Sequence, residues 1–265
     1  MKINIITKLL LLILTSIQIA AANLISEDQI QLIGAAMKKI APNVNIHDTK
    51  IELIDPNLYK IIAGADVLYL SKDGRYFFYG DLIDLNQPDH NKWNLTDLTK
   101  KTVRKSELSK LSNKEMMIFR PKHNPHSLHK NQKNKLGSIT VFADVSCPYS
   151  RKLHKEIEAA VDAGLEARYL FFPRAGVGSD SYKKAVSIWC AKNRKKEFSM
   201  ANNDEFIPER TCKNNPIENQ FNFGIKLGIN ATPTIILENG SIIPGFITAD
   251  NLLRLVKEAD AYSGS

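Results

Sequence analysis

The residues best suited to chemistry lie in one stretch, Val141-Phe-Ala-Asp-Val-Ser-Cys147-Pro-Tyr-Ser150-Arg-Lys-Leu-His-Lys-Glu-Ile157. A β-prone run ends at Val145, and a helical pattern opens at Pro148. This strand–turn–helix order puts the Cys147 sulfur at a helix N-terminus. There the free N–H groups and the positive end of the helix dipole favour a thiolate. A thiolate attacks disulfides to form a mixed disulfide. The position where a second cysteine would complete Cys-x-x-Cys holds Ser150. A serine hydroxyl stays protonated near neutral pH and cannot form a disulfide. It can donate a hydrogen bond to a thiolate and help keep its pKa low.

The rest of the chain supplies the context for that thiol. Lys2 and Lys8 precede an apolar run, Leu9 to Leu14, extended by Ile17 and Ile19, and Ala20-Ala21-Ala22 offers small residues before Asn23. Residues 1–22 read as a secretory leader, too short in its apolar part to span a membrane comfortably. No later stretch approaches spanning length, so the mature protein is not expected to be membrane-embedded. Export implies an oxidising compartment. The cysteines are Cys147, Cys190 and Cys212, an odd number, so at most one internal pair forms. Cys190 and Cys212 flank loop-like sequence with Asn202, Asn203, Asp204 and Pro208, and form the natural pair. Closing that loop contributes about 3 kcal/mol in the chain-entropy description. Cys147 is the thiol left over.

The 265 residues are 43% hydrophobic and 24% charged, which excludes global disorder and allows two modest domains. Removal of the leader takes the net charge from +8 to +6. The lysines are scattered rather than striped, which argues for a solvated basic surface and against a nucleic-acid partner. His123, His126 and His129 are close enough to suggest a metal site, but Pro125 breaks the helix that would align them, and a solvated linker is the plainer reading. No metal and no cofactor is expected.

Domains of 23–92, 93–137 and 138–265 follow from the pattern. Ser26-Glu-Asp-Gln29 is a capping box that opens a helix ending near Pro42. Short strands follow at 50–54, 58–63, 67–71 and 76–80, the last two joined by a turn with Asp73-Gly74, and 81–86 extends the sheet. This small α+β unit has a thin core and would gain from burying a face or edge against a second copy. Residues 95–117 are read as a connecting helix solvated on most faces, and the polar stretch 120–137 as a hinge. The last domain runs β, α, β, helices, then a hairpin across Asn239-Gly240 and a terminal helix from Ala249. Its first strands should be parallel through a right-handed crossover.

With these elements placed, the second half resembles the thioredoxin fold, and more narrowly the periplasmic disulfide isomerases of the DsbC/DsbG type. The segments that carry the resemblance are the strand into Cys147, Lys152-Leu153-His154, the run Arg168 to Arg174, and Ile188-Trp-Cys-Ala-Lys192. Leu227 to Thr234 with its Thr232-Pro233 pair and Asn239-Gly240 complete the set. The first unit, with its Asp73-Gly74 turn, resembles that family's dimerisation domain. The implied fold is an α+β dimerisation domain, a linker helix and an α/β thioredoxin-like catalytic domain with a helical insertion.

The resemblance implies that Cys147 is the attacking cysteine, with Ser150 at the resolving position. Cys190 and Cys212 would be the structural disulfide. Thr232-Pro233 would be the cis-proline pair, although an X-Pro bond taken alone reads as trans. Thr232, Pro233, Pro148 and Tyr149 would meet an extended substrate. It also implies a periplasmic homodimer acting on misfolded, disulfide-containing secreted proteins, with glutathione or a DsbD-type membrane reductase as the source of thiol. Cys-Pro-Tyr-Ser looks like the monothiol form of the glutaredoxin motif. Ser150 is either natural or a trapping substitution, and the leader beginning at Met1 favours the natural residue. Two further functions compete with isomerisation. One is a dimeric chaperone or thiol-capture protein that does not turn over. The other is metal handling by Cys147 and the linker histidines.

Overall fold

The structure is a computed structural model that describes residues 25–42, 44–121 and 136–263. The leader at 1–22 and His123, His126 and His129 lie outside the described residues. The chain divides into two compact units between Leu82 and Ile83.

The first unit begins with helix α1, Glu27–Ile40. Its capping box is formed, with Ser26 Oγ accepting from the Gln29 N–H and Gln29 Oε1 accepting from the Ser26 N–H. Helical spacing then sets Ile33 and Met37 against Tyr59, Ile61, Leu68 and Leu70. Those residues belong to an antiparallel sheet in the order β1 Lys50–Asp55, β2 Leu58–Ala63, β3 Asp66–Ser71, β4 Phe77–Phe78. The β3–β4 turn uses Gly74 at φ 72° and the Asp73 carboxylate, which accepts the Arg75 N–H at 3.0 Å. The sheet stops there. Residues 81–86 do not extend it as the sequence suggested: Ile83 forms only an isolated bridge with Asn94. The Asp84 side chain takes the Asn86 N–H and the Gln87 amide, and so curls the chain into a turn.

The second unit holds a five-stranded sheet in the order β5-β7-β6-β8-β9. Central β6, Ser138–Ala143, runs parallel to β7, Glu166–Phe171, across the crossover helix α3, Pro148–Asp162. β8, Thr234–Leu237, pairs antiparallel with β6, and β9, Ile242–Pro244, closes that edge. Both sheet faces are covered, which explains the near-continuous apolar runs of β6 and β7. Val141, Leu153, Ile157, Tyr169, Phe171 and Leu252 pack on one face, and Phe142, Leu170, Phe172, Leu227 and Ile236 on the other.

Two elements differ from the sequence reading. The connecting helix α2 spans Leu95–Ser109 only. Ser112 caps a short 3-10 turn, and the apolar Met117–Phe119 becomes β5, an edge strand antiparallel to β7. Nor is α2 solvated on most faces. Arg104 is buried, with Nε donating to Leu227 O at 3.3 Å and Nη1 to Gly240 O at 3.5 Å, and Glu107 pairs with Lys226 at 2.8 Å. The stretch between the two distal cysteines, read as loop, contains a helix. After α4, Asp180–Trp189, comes α5, Arg194–Asn202, capped by Asn193 and burying Phe198 and Ala201. α6, Ile217–Lys226, and α7, Ala249–Ser263, complete the unit.

Candidate functional site

β6 ends at Ala143, and the next residues form the site. The Asp144 carbonyl accepts the Cys147 N–H at 2.9 Å. The buried Asp144 carboxylate accepts the Ser146 N–H at 2.8 Å and the Arg174 N–H at 3.0 Å, with the Arg174 guanidinium 3.9 Å away. An aspartate closing a turn over its own backbone is a common device, and here it fixes the loop that carries the thiol. Cys147 is the N-cap residue of α3, Pro148 fills the first helical position, and the first turn has no acid. The positive end of the helix is therefore left for the sulfur.

The Cys147 side chain is only 1% exposed, and its Sγ donates to the carbonyl of Thr232 at 3.3 Å. The Thr232–Pro233 bond is cis. The loop is tied down by the Gly245 N–H, which donates to Pro233 O at 2.8 Å. Ser150 is buried, and its Oγ accepts the Asp144 N–H at 3.4 Å. Burial pushes the Cys147 thiol up. The Ser150 N–H, the Thr232 hydroxyl, the Tyr149 N–H and the Ser150 hydroxyl outweigh that and hold its pKa below the ordinary thiol value. The Thr232 Oγ1 is buried without a hydrogen-bond partner in the described structure, so a thiolate at Cys147 gives it an acceptor.

Cys147, Ser150, Thr232 and Pro233 thus come together, and Pro148 and Tyr149 stand exposed at the mouth. Cys190 and Cys212 are bonded to each other, with Cα atoms 5.6 Å apart. Among the described residues Cys147 is the free cysteine. Among the same residues no group of three or more His, Cys, Asp or Glu side chains could hold a metal.

Sequence reasoning passed over Asp144 and Arg174. The signal for Asp144 was present, since an aspartate two residues before Ser146 at the end of the apolar run marks an Asx turn. The same reasoning quoted His154, two helical turns beyond Cys147, in the family resemblance but gave it no role. His154 is 3% exposed, with Nδ1 3.0 Å from the Tyr169 hydroxyl and its ring edge-on to Phe198. Burial pushes its pKa down to about 4, so it is a neutral core residue at neutral pH.

Comparison with known proteins agrees with this geometry. Residues 125–260 match the thioredoxin-like domain family, and residues 20–97 match the disulfide bond isomerase protein N-terminal domain. The chain is 30% identical over 213 residues to the thiol:disulfide interchange protein DsbC of Salmonella typhimurium, covering 80% of this chain and 82% of that protein. The chain belongs to the DsbC family. The DsbC protein of Haemophilus influenzae is 30% identical over 244 residues, covering 91% of this chain and 94% of that protein. That of Escherichia coli K12 is 30% identical over 186 residues, covering 70% and 71%. A DsbC-type N-terminal domain followed by a thioredoxin-like domain is the architecture read from the sequence. No helix among the described residues is long and apolar enough to cross a membrane.

Proposed function

We propose that the protein is a periplasmic disulfide isomerase that works with one thiol. The observation that carries this is a lone cysteine at the N-terminus of α3, its pKa lowered by four donors, against the Thr232 carbonyl. Cys147 loses its proton to solvent, and the thiolate attacks a disulfide of the substrate. One substrate S–S bond breaks, a mixed disulfide forms, and a substrate thiolate leaves. A second substrate thiolate then attacks the substrate sulfur of the mixed disulfide. A new substrate disulfide forms and Cys147 departs as thiolate, with no net change in oxidation state. Ser150 cannot expel the substrate, so release depends on a substrate thiol or on an external thiol such as glutathione. A DsbD-type reductase acting through a Cys-x-x-Cys cycle has no resolving sulfur here to work with.

The leader at 1–22 would deliver the protein to the periplasm, where misfolded disulfide-containing proteins are the substrates. The first unit would form the homodimer, since Phe77, Phe78 and Tyr79 stand exposed around a cavity of about 500 Å³ at its sheet edge. The same exposed aromatics support a second reading, a chaperone that holds polypeptides without exchange.

Refolding of scrambled ribonuclease A tests both. The parent should restore native disulfides slowly, and faster with glutathione. Cys147→Ala should abolish this, and Ser150→Cys should add reductase activity. No turnover by reduced parent with or without glutathione excludes the isomerase. Suppression of aggregation that survives Cys147→Ala, alongside no turnover, selects the chaperone.

A further inference from the structure

α3 buries one titratable side chain that plays no part at Cys147. His154 is 3% exposed, and its Nδ1 meets the Tyr169 hydroxyl at 3.0 Å. Its Nε2 is buried without a hydrogen-bond partner in the described structure. A buried polar atom left unpaired costs free energy, so native structures rarely leave one without a use. Nε2 faces Glu158, whose Oε1 lies 3.5 Å away.

His154, Glu158 and Asp162 follow one another at intervals of four and so share one face of α3. That face borders a cavity of about 410 Å³, within the size range of small-molecule sites. The cavity has an apolar wall, made by Ile157 and Val161 of α3 and by Phe119 of β5, whose ring stands edge-on to His154. Arg120 and Lys195 complete its rim.

The charges around this cavity are not balanced. Arg120 is taken up by Glu166 at 3.0 Å, and the Lys195 ammonium lies over the Phe119 ring, 5.3 Å from its centre. Neither Glu158 nor Asp162 is paired with a lysine or arginine among the described residues. His154 is neutral at neutral pH and does not offset them. The Glu158 charge reaches inward to Tyr169, where it adds to burial in keeping the hydroxyl protonated. As metal ligands these side chains fail, since no group of three such residues among those described could hold an ion. Two carboxylates one turn apart, a buried ring nitrogen and an aromatic wall instead match an ammonium on an apolar stem.

We infer that this cavity binds a small primary amine with an aromatic or aliphatic body. The ammonium sits between Glu158 and Asp162 and donates one N–H to His154 Nε2, while Nδ1–H donates to the Tyr169 oxygen. The stem lies against Phe119, Ile157 and Val161. Glu158 is roughly 16 Å along α3 from Cys147, so the site is separate from the exchange thiol and does not rest on its chemistry.

The test titrates phenethylamine into the protein and follows the His154 ring signals by NMR. They should shift and saturate. Hydrocinnamate, which carries the same ring on a stem of opposite charge, should bind about tenfold more weakly. Glu158→Gln and Asp162→Asn, both at exposed positions, should each weaken phenethylamine about fivefold at an unchanged melting temperature, the worth of one exposed ion pair. The N-acetyl methylamide of lysine carries the same ammonium, and whichever of the two amines binds more tightly shows whether a free amine or a lysine side chain of a polypeptide is its source. No saturable shift with either amine, equal affinity for phenethylamine and hydrocinnamate, or unchanged affinity in both variants overturns the site.

Discussion

Four donors converge on the Cys147 sulfur, and two of them come from Ser150. The hydroxyl of Ser150 is oriented because its oxygen already accepts the Asp144 N–H, which leaves its proton free for the thiolate. Ser150→Ala should therefore raise the Cys147 pKa and slow its alkylation by iodoacetamide at pH 7. It should also destabilise the fold by about 1–2 kcal/mol, since a buried N–H loses its acceptor; unchanged alkylation kinetics would refute the donor role. His154 makes the second prediction at this scale. Its folded pKa is about 4, below an ordinary histidine near 6.5, so the unfolded chain binds the extra proton between those values. The stabilisation is full above pH 6.5, falls as pH drops through the window and is gone below about 4, a total of about 3 kcal/mol. Urea unfolding at stepped pH should show that loss, and His154→Phe should remove its share of the slope. The thiol was legible at this scale because helix termini and cysteine parity are local signals. The meeting of Asp144 with Arg174 was not, because 30 residues separate them and it depends on the parallel pairing of β6 and β7.

At the scale of elements, α2 behaves as part of the second unit rather than as a free connector. Gly240 sits at φ 85°, and a Cβ added there would lie 2.0 Å from the Lys101 carbonyl oxygen. Gly240→Ala should therefore unseat α2 and cost on the order of 2–4 kcal/mol in chemical denaturation. A loss under ~0.5 kcal/mol would show that the helix does not seat on this turn. The Asn-Gly turn was readable from its own sequence, but not the helix that lies on it, since charged spacing in α2 reads as solvent-facing until Leu227 and Gly240 supply the carbonyls for Arg104. β5 and α5 were missed for a similar reason. A three-residue strand has too little pattern to show alternation, and α5 has a weak apolar stripe until Phe198 finds the aromatic cluster of Phe119, His154 and Tyr169.

At the scale of the whole molecule, each unit was legible as a fold because its long elements carry clear caps and periods. The Cys190–Cys212 disulfide closes a separation of 22 residues in the second unit. Replacing both cysteines with serine should cost about 3 kcal/mol, lowering the melting temperature. The intrinsic reactivity of Cys147 should persist, because the groups that bond its sulfur come from Tyr149, Ser150 and Thr232 and not from the disulfide; loss of both together would tie the disulfide to the site. In the first unit, Phe78→Asp places a charge among exposed aromatics and should convert the proposed dimer to monomer in sedimentation. An unchanged mass would place the self-association elsewhere.

The burial of Cys147 has a consequence for the protein's lifetime. A thiol without a neighbouring cysteine has no partner within the chain to rescue a sulfenic acid, and further oxidation to the sulfinic form is irreversible. With Cys147 only 1% exposed, the resting protein gives peroxide little access to its sulfur. Shelter from oxidants takes over the protective part that a second cysteine would otherwise play.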